Sequence, residues 1–526
     1  MRTNLLEALS DNIKVNKDKC TACGVCVDTC ILDNLRLKLA PCRAACPLGV
    51  NCQGYIQLVL RGEDQAALAM ARRALPFPGI LGRVCSAQCE TACQRGALTG
   101  SPVAIRALKR FAAEAGGPAQ LPEKAPASGK RLAVVGAGPA GMMAAWDLLL
   151  KGHHVTIFDA ENEPGGMLRW ALPAFRLPLE VLQAEWGQLL ALGAEFQGDR
   201  ILGRDLTLEE LAGDFDAVVL ALGCPRPKLL GIEGEQAAGV LHALRFLKQA
   251  RAGQAPALSG KVVVVGGGEV ALDAAQTALR LGAAQVTVVS LEDRQDMPAS
   301  PQALAQAESE GVALEGSWGP ARILSENGAV TGLSLVRCLA VMDAAGKFAP
   351  SFDECQLREI EADAVIVAIG QEPDPDQPAG PVDPATLQGL LPKVFLAGDA
   401  VSGPSTIVQA MASGRFAAES AHRLVTGQHL AYGREYPGPV ETEFEIDPGR
   451  GSDAPRARPA QHARQGVGDF TELEQALSLE QARSEASRCY SCGAPFGKYR
   501  TCWFCLPCEV ECPQEALWVD IPYLLR

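Results

Sequence analysis

Histidine is scarce in this chain: six in 526 residues, and scattered. No HExxH pair is present to hold a catalytic zinc, and no nucleophile elbow presents an activated serine. No apolar run approaches the ~20 residues that a membrane span requires. Positive charge is in deficit, since 48 Lys and Arg face 61 Asp and Glu, and the formal charge of −13 argues against a nucleic-acid partner. The opening stretch MRTNLLEALSDN places acids where a secretion signal is basic and then apolar, so a reducing, cytoplasmic setting is expected. A chain of this length exceeds one hydrophobic core, and three or more domains are expected.

Cysteine, by contrast, is abundant. Sixteen of the nineteen fall before residue 94 or after residue 488. Cys20, Cys23, Cys26 and Cys30 read C-x2-C-x2-C-x3-C, and Cys502, Cys505, Cys508 and Cys512 repeat that spacing with Pro513 behind them. Such a run holds a [4Fe–4S] cube. A disulfide scaffold suits small secreted domains, which this is not. A further group, Cys42, Cys46, Cys52, Cys85, Cys89 and Cys93, brackets a stretch with helical apolar periodicity. Cys489 and Cys492 alone could open a zinc site, but the dense triplet at 502, 505 and 508 favours iron. Sixteen thiols allow four cubes, and three is the conservative count.

Between the cysteine groups stand two glycine-rich turns, each after an apolar strand and before a helix. Gly136-Ala-Gly138-Pro139-Ala140-Gly141 is the first, with Asp159 closing the next strand and Gly165-Gly166 beyond it. Gly266-Gly-Gly268-Glu269-Val-Ala271 is the second, with Glu292 just past its next strand. In such turns the first glycine makes the bend, the second admits a pyrophosphate, and the helix N-terminus meets the phosphate charge. A carboxylate at Glu292 accepts from a ribose 2′-hydroxyl and repels a 2′-phosphate, which favours NADH. The nearby Arg294 could reverse that preference. Clusters carry single electrons and nicotinamide carries hydride, so a flavin is expected between them.

Seven motifs in order, PCRAACPLGV, GRVCSAQCETACQRG, VAIRALKRF, VVGAGPAG, PGGMLRWALPAFRLP, VVVVGGGEVALDAA and VFLAGDAVSGPSTIVQAM, resemble the flavoprotein family of the glutamate synthase small subunit, over about residues 37–426. The resemblance implies an α/β protein with two Rossmann-like dinucleotide-binding domains behind a helical iron–sulfur domain. It assigns Gly136, Gly138, Pro139, Ala140, Gly141, Asp159, Gly166, Met167, Gly398 and Asp399 to FAD. Gly266, Gly268, Glu269 and Glu292 go to NAD(H) or NADP(H). Many relatives carry a paired-arginine YRR for the 2′-phosphate where this chain has Ser290-Leu291-Glu292, which strengthens NADH. Two cysteines that relatives place shortly before Cys42 are absent, and their polar ligand in the LxRF segment is here Lys109. Cys52 could substitute for it, or Cys26 and Cys30 could be recruited.

The expected division is a ferredoxin-like segment at 1–36, the helical iron–sulfur domain at 37–127, and an FAD domain at 128–225 and 390–428. An inserted NAD(P) domain takes 226–389, a linker 429–485, and a C-terminal ferredoxin-like domain 486–526. The expected function is electron transfer between NAD(P)H and ferredoxin or a larger redox enzyme of the 2-oxoacid oxidoreductase, hydrogenase or dehydrogenase type. Two alternatives stand beside it: a glutamate synthase small subunit, and a wiring subunit with vestigial nucleotide sites. Hydride transfer requires positioning rather than a protein acid or base. His153 and His154 are expected at the surface, Cys224, Cys338 and Cys355 as packing residues, and 456–464 as a solvated linker face.

Overall fold

The computed structural model describes residues 13–16, 19, 25, 29, 39–118, 120–375, 381–431, 442, 449, 451–492 and 506–519. Cys20, Cys23, Cys26, Cys30, Cys502 and Cys505 lie outside the described residues.

A short strand, β1 (Ile13–Val15), precedes a bundle of helices. These are α1 (Pro41–Ala44), α2 (Cys52–Arg61), α3 (Asp64–Arg72), α4 (Pro78–Val84), α5 (Gln88–Thr91), α6 (Gln94–Thr99) and α7 (Ile105–Ala115). The boundaries follow local chemistry. The Asn51 side chain accepts from Gly54 N at 2.9 Å to start α2, and Gly62, at φ 86°, ends it. Pro78 opens α4, where its missing N–H costs nothing.

An extended segment leads into β2 (Arg131–Val135), α8 (Pro139–Leu150) and β3 (His154–Phe158). Helices α9 (Met167–Trp170) and α10 (Leu179–Ala191), strand β4 (Glu195–Gln197), α11 (Leu208–Asp214) and β5 (Ala217–Leu220) follow. The chain then crosses β6 (Arg226–Pro227) into a second unit: β7 (Val240–His242), α12 (Ala243–Arg251), β8 (Lys261–Val265), α13 (Glu269–Arg280), β9 (Gln285–Val289), α14 (Pro301–Ser309) and β10 (Val312–Glu315). Three long strands, β11 (Trp318–Glu326), β12 (Ala329–Met342) and β13 (Phe348–Glu361), come before β14 (Ala364–Val367). After β15 (Gln371–Glu372), which pairs with β6, the chain returns through β16 (Val394–Leu396), α15 (Asp399–Ser402) and α16 (Ile407–Val425).

Both large sheets are wholly parallel, in the orders β16-β5-β2-β3-β4 and β10-β9-β8-β14-β7. Strands such as Lys261–Val265 are buried after their first residue, as continuous valine runs require when both faces are covered. Helices cover one face of the second sheet, and the antiparallel trio β11-β12-β13 packs on the other through Ile323, Leu333 and Leu335. The first sheet shares one continuous core with the helical bundle, running from Cys52, Tyr55 and Phe77 to Val134, Met142 and Phe395. Phe77 and Trp146 meet edge-on at 5.6 Å across that junction.

The segment expected to be a solvated linker is instead docked. Residues 451–478 carry no long element, yet Arg456 pairs with Glu90 at 2.5 Å, and Arg83 and Arg106 reach Glu472 and Glu474 at 2.7 Å. Leu477, Ala482 and Ala486 enter the shared core. Composition announced an irregular strap correctly but could not show that its charges have partners on the bundle. Helix α17 (Leu479–Ser487) is capped by Ser478 and lies on α2, where Arg483 pairs with Asp64 at 2.7 Å. A final helix α18 (Pro507–Val510) precedes β17 (Leu517–Val519), which runs antiparallel to β1 and sets Ile13 opposite Val519. Asn16 N donates to Ala516 O at 2.7 Å at the end of that ladder. The first and last cysteine runs, expected as separate modules, thus flank strands of one sheet. No helix among the described residues is long and apolar enough to cross a membrane.

Candidate functional site

In the first glycine turn, Gly136 adopts φ 107°, and a Cβ there would stand 2.2 Å from Ala221 O. A Cβ on Gly141 would lie 1.8 Å from Gly136 O, so only glycine lets α8 approach the turn. Gly138 N-caps α8 with no side-chain cap and Pro139 follows in the first turn, which leaves main-chain N–H groups of the helix N-terminus for an anion. Asp159 faces this turn: Oδ2 accepts from Ala137 N at 2.6 Å and Oδ1 from Glu161 N at 2.8 Å. Burial raises its carboxyl above the usual range, against those two bonds.

Gly165 N donates to Ala137 O at 3.0 Å, which folds the next loop over the turn. A Cβ on Gly166 would fall 2.8 Å from Gly138 Cα, and Met167 follows, partly exposed. From the far edge of the sheet comes Gly398, where a Cβ would fall 2.9 Å from Ala140 Cβ, and its N–H donates to Ser413 Oγ at 2.8 Å. Asp399 Oδ1 accepts from Ser405 Oγ at 2.5 Å. Asp159, Gly166 and Gly398 therefore gather at one glycine turn, although they come from separate parts of the sequence. Cys224 is buried there and donates to Asp399 O at 3.2 Å. Burial pushes its thiol up to about 11, so at neutral pH it is a protonated packing residue.

The second turn repeats the device. Gly266 adopts φ 135°, with Ala368 O 2.4 Å from where a Cβ would lie. Gly268 N-caps α13 and has open space around it. The position of the third glycine holds a buried Ala271 without conflict. Ser290 Oγ donates to Glu292 Oε2, and that carboxylate rests 3.2 Å from where a Cβ on Gly267 would lie, directly against the turn. Arg294 is turned away and pairs with Glu308 at 2.8 Å. The Glu269 carboxylate accepts from Ser300 Oγ at 2.8 Å and from Arg176 at 3.0 Å. Arg176, in the loop between α9 and α10, also reaches Asp273 at 3.0 Å and so ties the two nucleotide-binding units together. No motif announced Arg176, because its partners lie almost a hundred residues away.

Ten described cysteines outside the two units fall on the bundle and its C-terminal neighbours. Cys52 lies within hydrogen-bonding reach of both Cys42 and Cys89. Lys109, only 5% exposed, donates to Leu81 O at 3.3 Å and lies in the field of Cys85, Cys89, Cys52 and Cys46. Burial works against its charge, but the field of those sulfurs outweighs it and raises its pKa, which makes Lys109 a poor ligand. Cys52 is one of the sulfurs beside it. Backbone N–H groups donate to sulfur at Cys85 (from Ala87, 3.5 Å), Cys489 (from Ser491, 3.5 Å) and Cys512 (from Ala516, 3.3 Å). Among the described residues no three His, Cys, Asp or Glu side chains converge on a single ion. A cube makes no such demand, because each thiolate takes a different corner iron.

One expected surface residue is not at the surface. His153 is 4% exposed, because Ser128 Oγ and His422 Nδ1 hydrogen-bond its two ring nitrogens at 2.7 and 2.9 Å. Its neighbour His154 is exposed, as expected.

Residues 130–414 match the pyridine nucleotide-disulphide oxidoreductase family, and residues 8–119 match the 4Fe-4S cluster domain II of dihydropyrimidine dehydrogenase. The beta subunit of an NADP(+)-dependent formate dehydrogenase from Moorella thermoacetica is 34% identical over 86% of this chain and 70% of its own length. The beta subunit of an NADPH-Fe(3+) oxidoreductase from Geobacter sulfurreducens is also 34% identical, over 86% of this chain and 75% of its own. The glutamate synthase [NADPH] small chain of Escherichia coli is 31% identical over 77% of this chain and 90% of its own. In fold, FprA from Mycobacterium tuberculosis superposes with a TM-score of 0.51 at 19% identity, over 58% of this chain and 85% of that one. The chain belongs to the pyridine nucleotide-disulphide oxidoreductase family, as an NAD(P)H-dependent FAD and [4Fe–4S] oxidoreductase similar to glutamate synthase small chains.

Proposed function

We propose that this chain is the nicotinamide-oxidising or nicotinamide-reducing subunit of a larger cytoplasmic redox complex, joining NADH to ferredoxin or to a partner's own clusters. The observation that carries the reading is the continuous core between the cysteine-bearing helices and the first nucleotide sheet. Shared packing holds the first glycine turn and the cysteine-bearing helices in one rigid body, as an electron route between groups bound there would require. A flavin held at the first turn would supply the exchange between hydride and single electrons, and the cysteines would hold the clusters that carry the latter. The chain's own part is to bind and orient. Gly136, Gly138 and Gly141 bring backbone against one pyrophosphate, Gly266 and Gly268 do so for the other, and Asp159 holds the first turn in shape. Three or four cubes are supported by the sixteen cysteines.

NADH is preferred because Glu292 faces the second turn while Arg294 is held by Glu308. The relatives named for NADPH weigh the other way, so the titration must include both nucleotides. Anaerobic protein is titrated with each in turn while flavin and cluster absorbance are followed. Bleaching of both chromophores by NADH, with NADPH much weaker, is the expected result. Preference for NADPH overturns the role of Glu292, and no bleaching by either, with flavin bound, overturns the hydride site. A glutamate synthase role has less support, since that small chain matches 77% of this chain, against 86% for the two beta subunits.

A further inference from the structure

The C-x2-C pair at Cys489 and Cys492 precedes the terminal cysteine run, yet it is fastened far from it in sequence. Arg488, 1% exposed, donates to Pro102 O at 3.1 Å and Ser101 O at 2.8 Å, and it pairs with the fully buried Glu485 at 2.5 Å. Glu485 accepts in turn from Ala104 N at 2.7 Å. On the bundle side, Arg95 donates to Arg488 O at 2.9 Å and lies 5.1 Å over the Tyr490 ring. Both neighbours of Cys489 are thus held by a residue two positions after Cys93.

Three observations complete the picture. Cys489 lies in the field of Cys492 and Cys93, Cys492 in that of Cys93, and Cys42 in that of both Cys489 and Cys492. Of the bundle's six cysteines, Cys46, Cys52, Cys85 and Cys89 are those around Lys109; Cys42 touches Cys52 at the edge of that group, and together with Cys93 it is two sulfurs short of a second set. Finally, Gln57 on α2 is 7% exposed, and its Nε2 has no hydrogen-bond partner. Its amide reaches toward Cys489, where it would donate to the sulfur. A buried amide needs an acceptor, and a metal-bound thiolate supplies one.

We infer that Cys42, Cys93, Cys489 and Cys492 are the four ligands of one [4Fe–4S] cube, built by the bundle and the returning C-terminal strap together, with Gln57 donating to its Cys489 sulfur. The inference rests on the iron–sulfur reading given above and adds to it which thiols share a cube. Cys489 and Cys492 then belong to the bundle and not to a ferredoxin module at 486–526. The matched iron–sulfur segment ends at residue 119, so half of this ligand set lies outside it.

The test uses full-length protein purified anaerobically, with iron, zinc, sulfide and flavin assayed and reduced clusters followed by electron paramagnetic resonance. Cys42→Ala/Cys93→Ala and Cys489→Ala/Cys492→Ala should each lose about four irons per chain, together with the same resonance. The quadruple variant should lose no more than either double. A quadruple loss of about eight irons overturns the shared site, as does zinc at Cys489 and Cys492. Wild-type protein without iron would instead overturn the underlying iron–sulfur reading. Gln57→Leu decides where a cysteine variant also sheds flavin and so fails to fold. It should keep its iron and lower the midpoint potential of that one resonance, because a hydrogen bond to cluster sulfur is lost. An unmoved potential overturns the arrangement.

Discussion

At the scale of single residues, the glycines and acids of the two nucleotide turns were legible because each answers a local steric demand. The same turns show where local reading stops. Whether a 2′-phosphate is tolerated depends on Arg294, whose pairing with Glu308 spans fourteen positions and carries no motif. Glu292→Ala should lower kcat/KM for NADH about tenfold or more, the worth of one hydrogen bond to a charged group, and leave NADPH unchanged or improved. Steady-state kinetics with both nucleotides check it, and an equal loss for both would remove Glu292 from the ribose.

His153 was misread because a paired HH in a turn looks solvated, whereas Ser128 and His422 close over it. Burial, and then the charges of His422 and Lys151, lower its pKa to about 4, and His422 shifts in the same direction. A depressed histidine stabilises the fold above its unfolded value near 6.5, and that contribution is lost as pH falls toward 4. His153→Gln should cost about 1 kcal/mol at pH 7.5 and flatten the fall of Tm between pH 6.5 and 4. Parallel profiles for the two proteins would contradict this.

At the scale of elements, the two glycine turns marked the strand-to-helix passages β2–α8 and β8–α13. The antiparallel trio β11-β12-β13 went unnoticed. Its outer strand β13 is exposed along most of its length, so it lacks the apolar run that marks a buried strand. The strap was half-legible: irregular from composition, but docked through partners that lie hundreds of positions earlier. Its anchor is the Arg488–Glu485 pair, 1% and 0% exposed. Breaking a buried pair from one side costs about 3–5 kcal/mol. Glu485→Ala should therefore lower Tm and open protease sites between 451 and 492 while the nucleotide sheets stay protected. Uniform protection in limited proteolysis would show that the strap is held elsewhere.

At the scale of the whole molecule, the order of domains could be read from ordered motifs, but their contacts could not. Nothing in either cysteine run says that its flanking strand pairs with a strand of the other, since ladder partners are set by register and not by spacing. Trp518→Pro, which puts a residue unable to donate opposite Lys14 in the ladder, should release both ends of the chain together. Protease cuts before residue 39 and after residue 492 should then appear in step. Cuts confined to the C-terminal side would mean that the ladder does not couple the ends.

That ladder has a consequence for how the protein is made. Strand β1 leaves the ribosome roughly 500 residues before its partner β17. At about 5–20 residues per second, β1 and the thiols of the first cysteine run wait some tens of seconds before their sheet can close. Throughout that interval, newly emerged thiols are open to oxidation and to the wrong metal. The ladder can therefore close only late in synthesis, and expression under slow translation or in air should yield protein that holds its flavin but is short of iron.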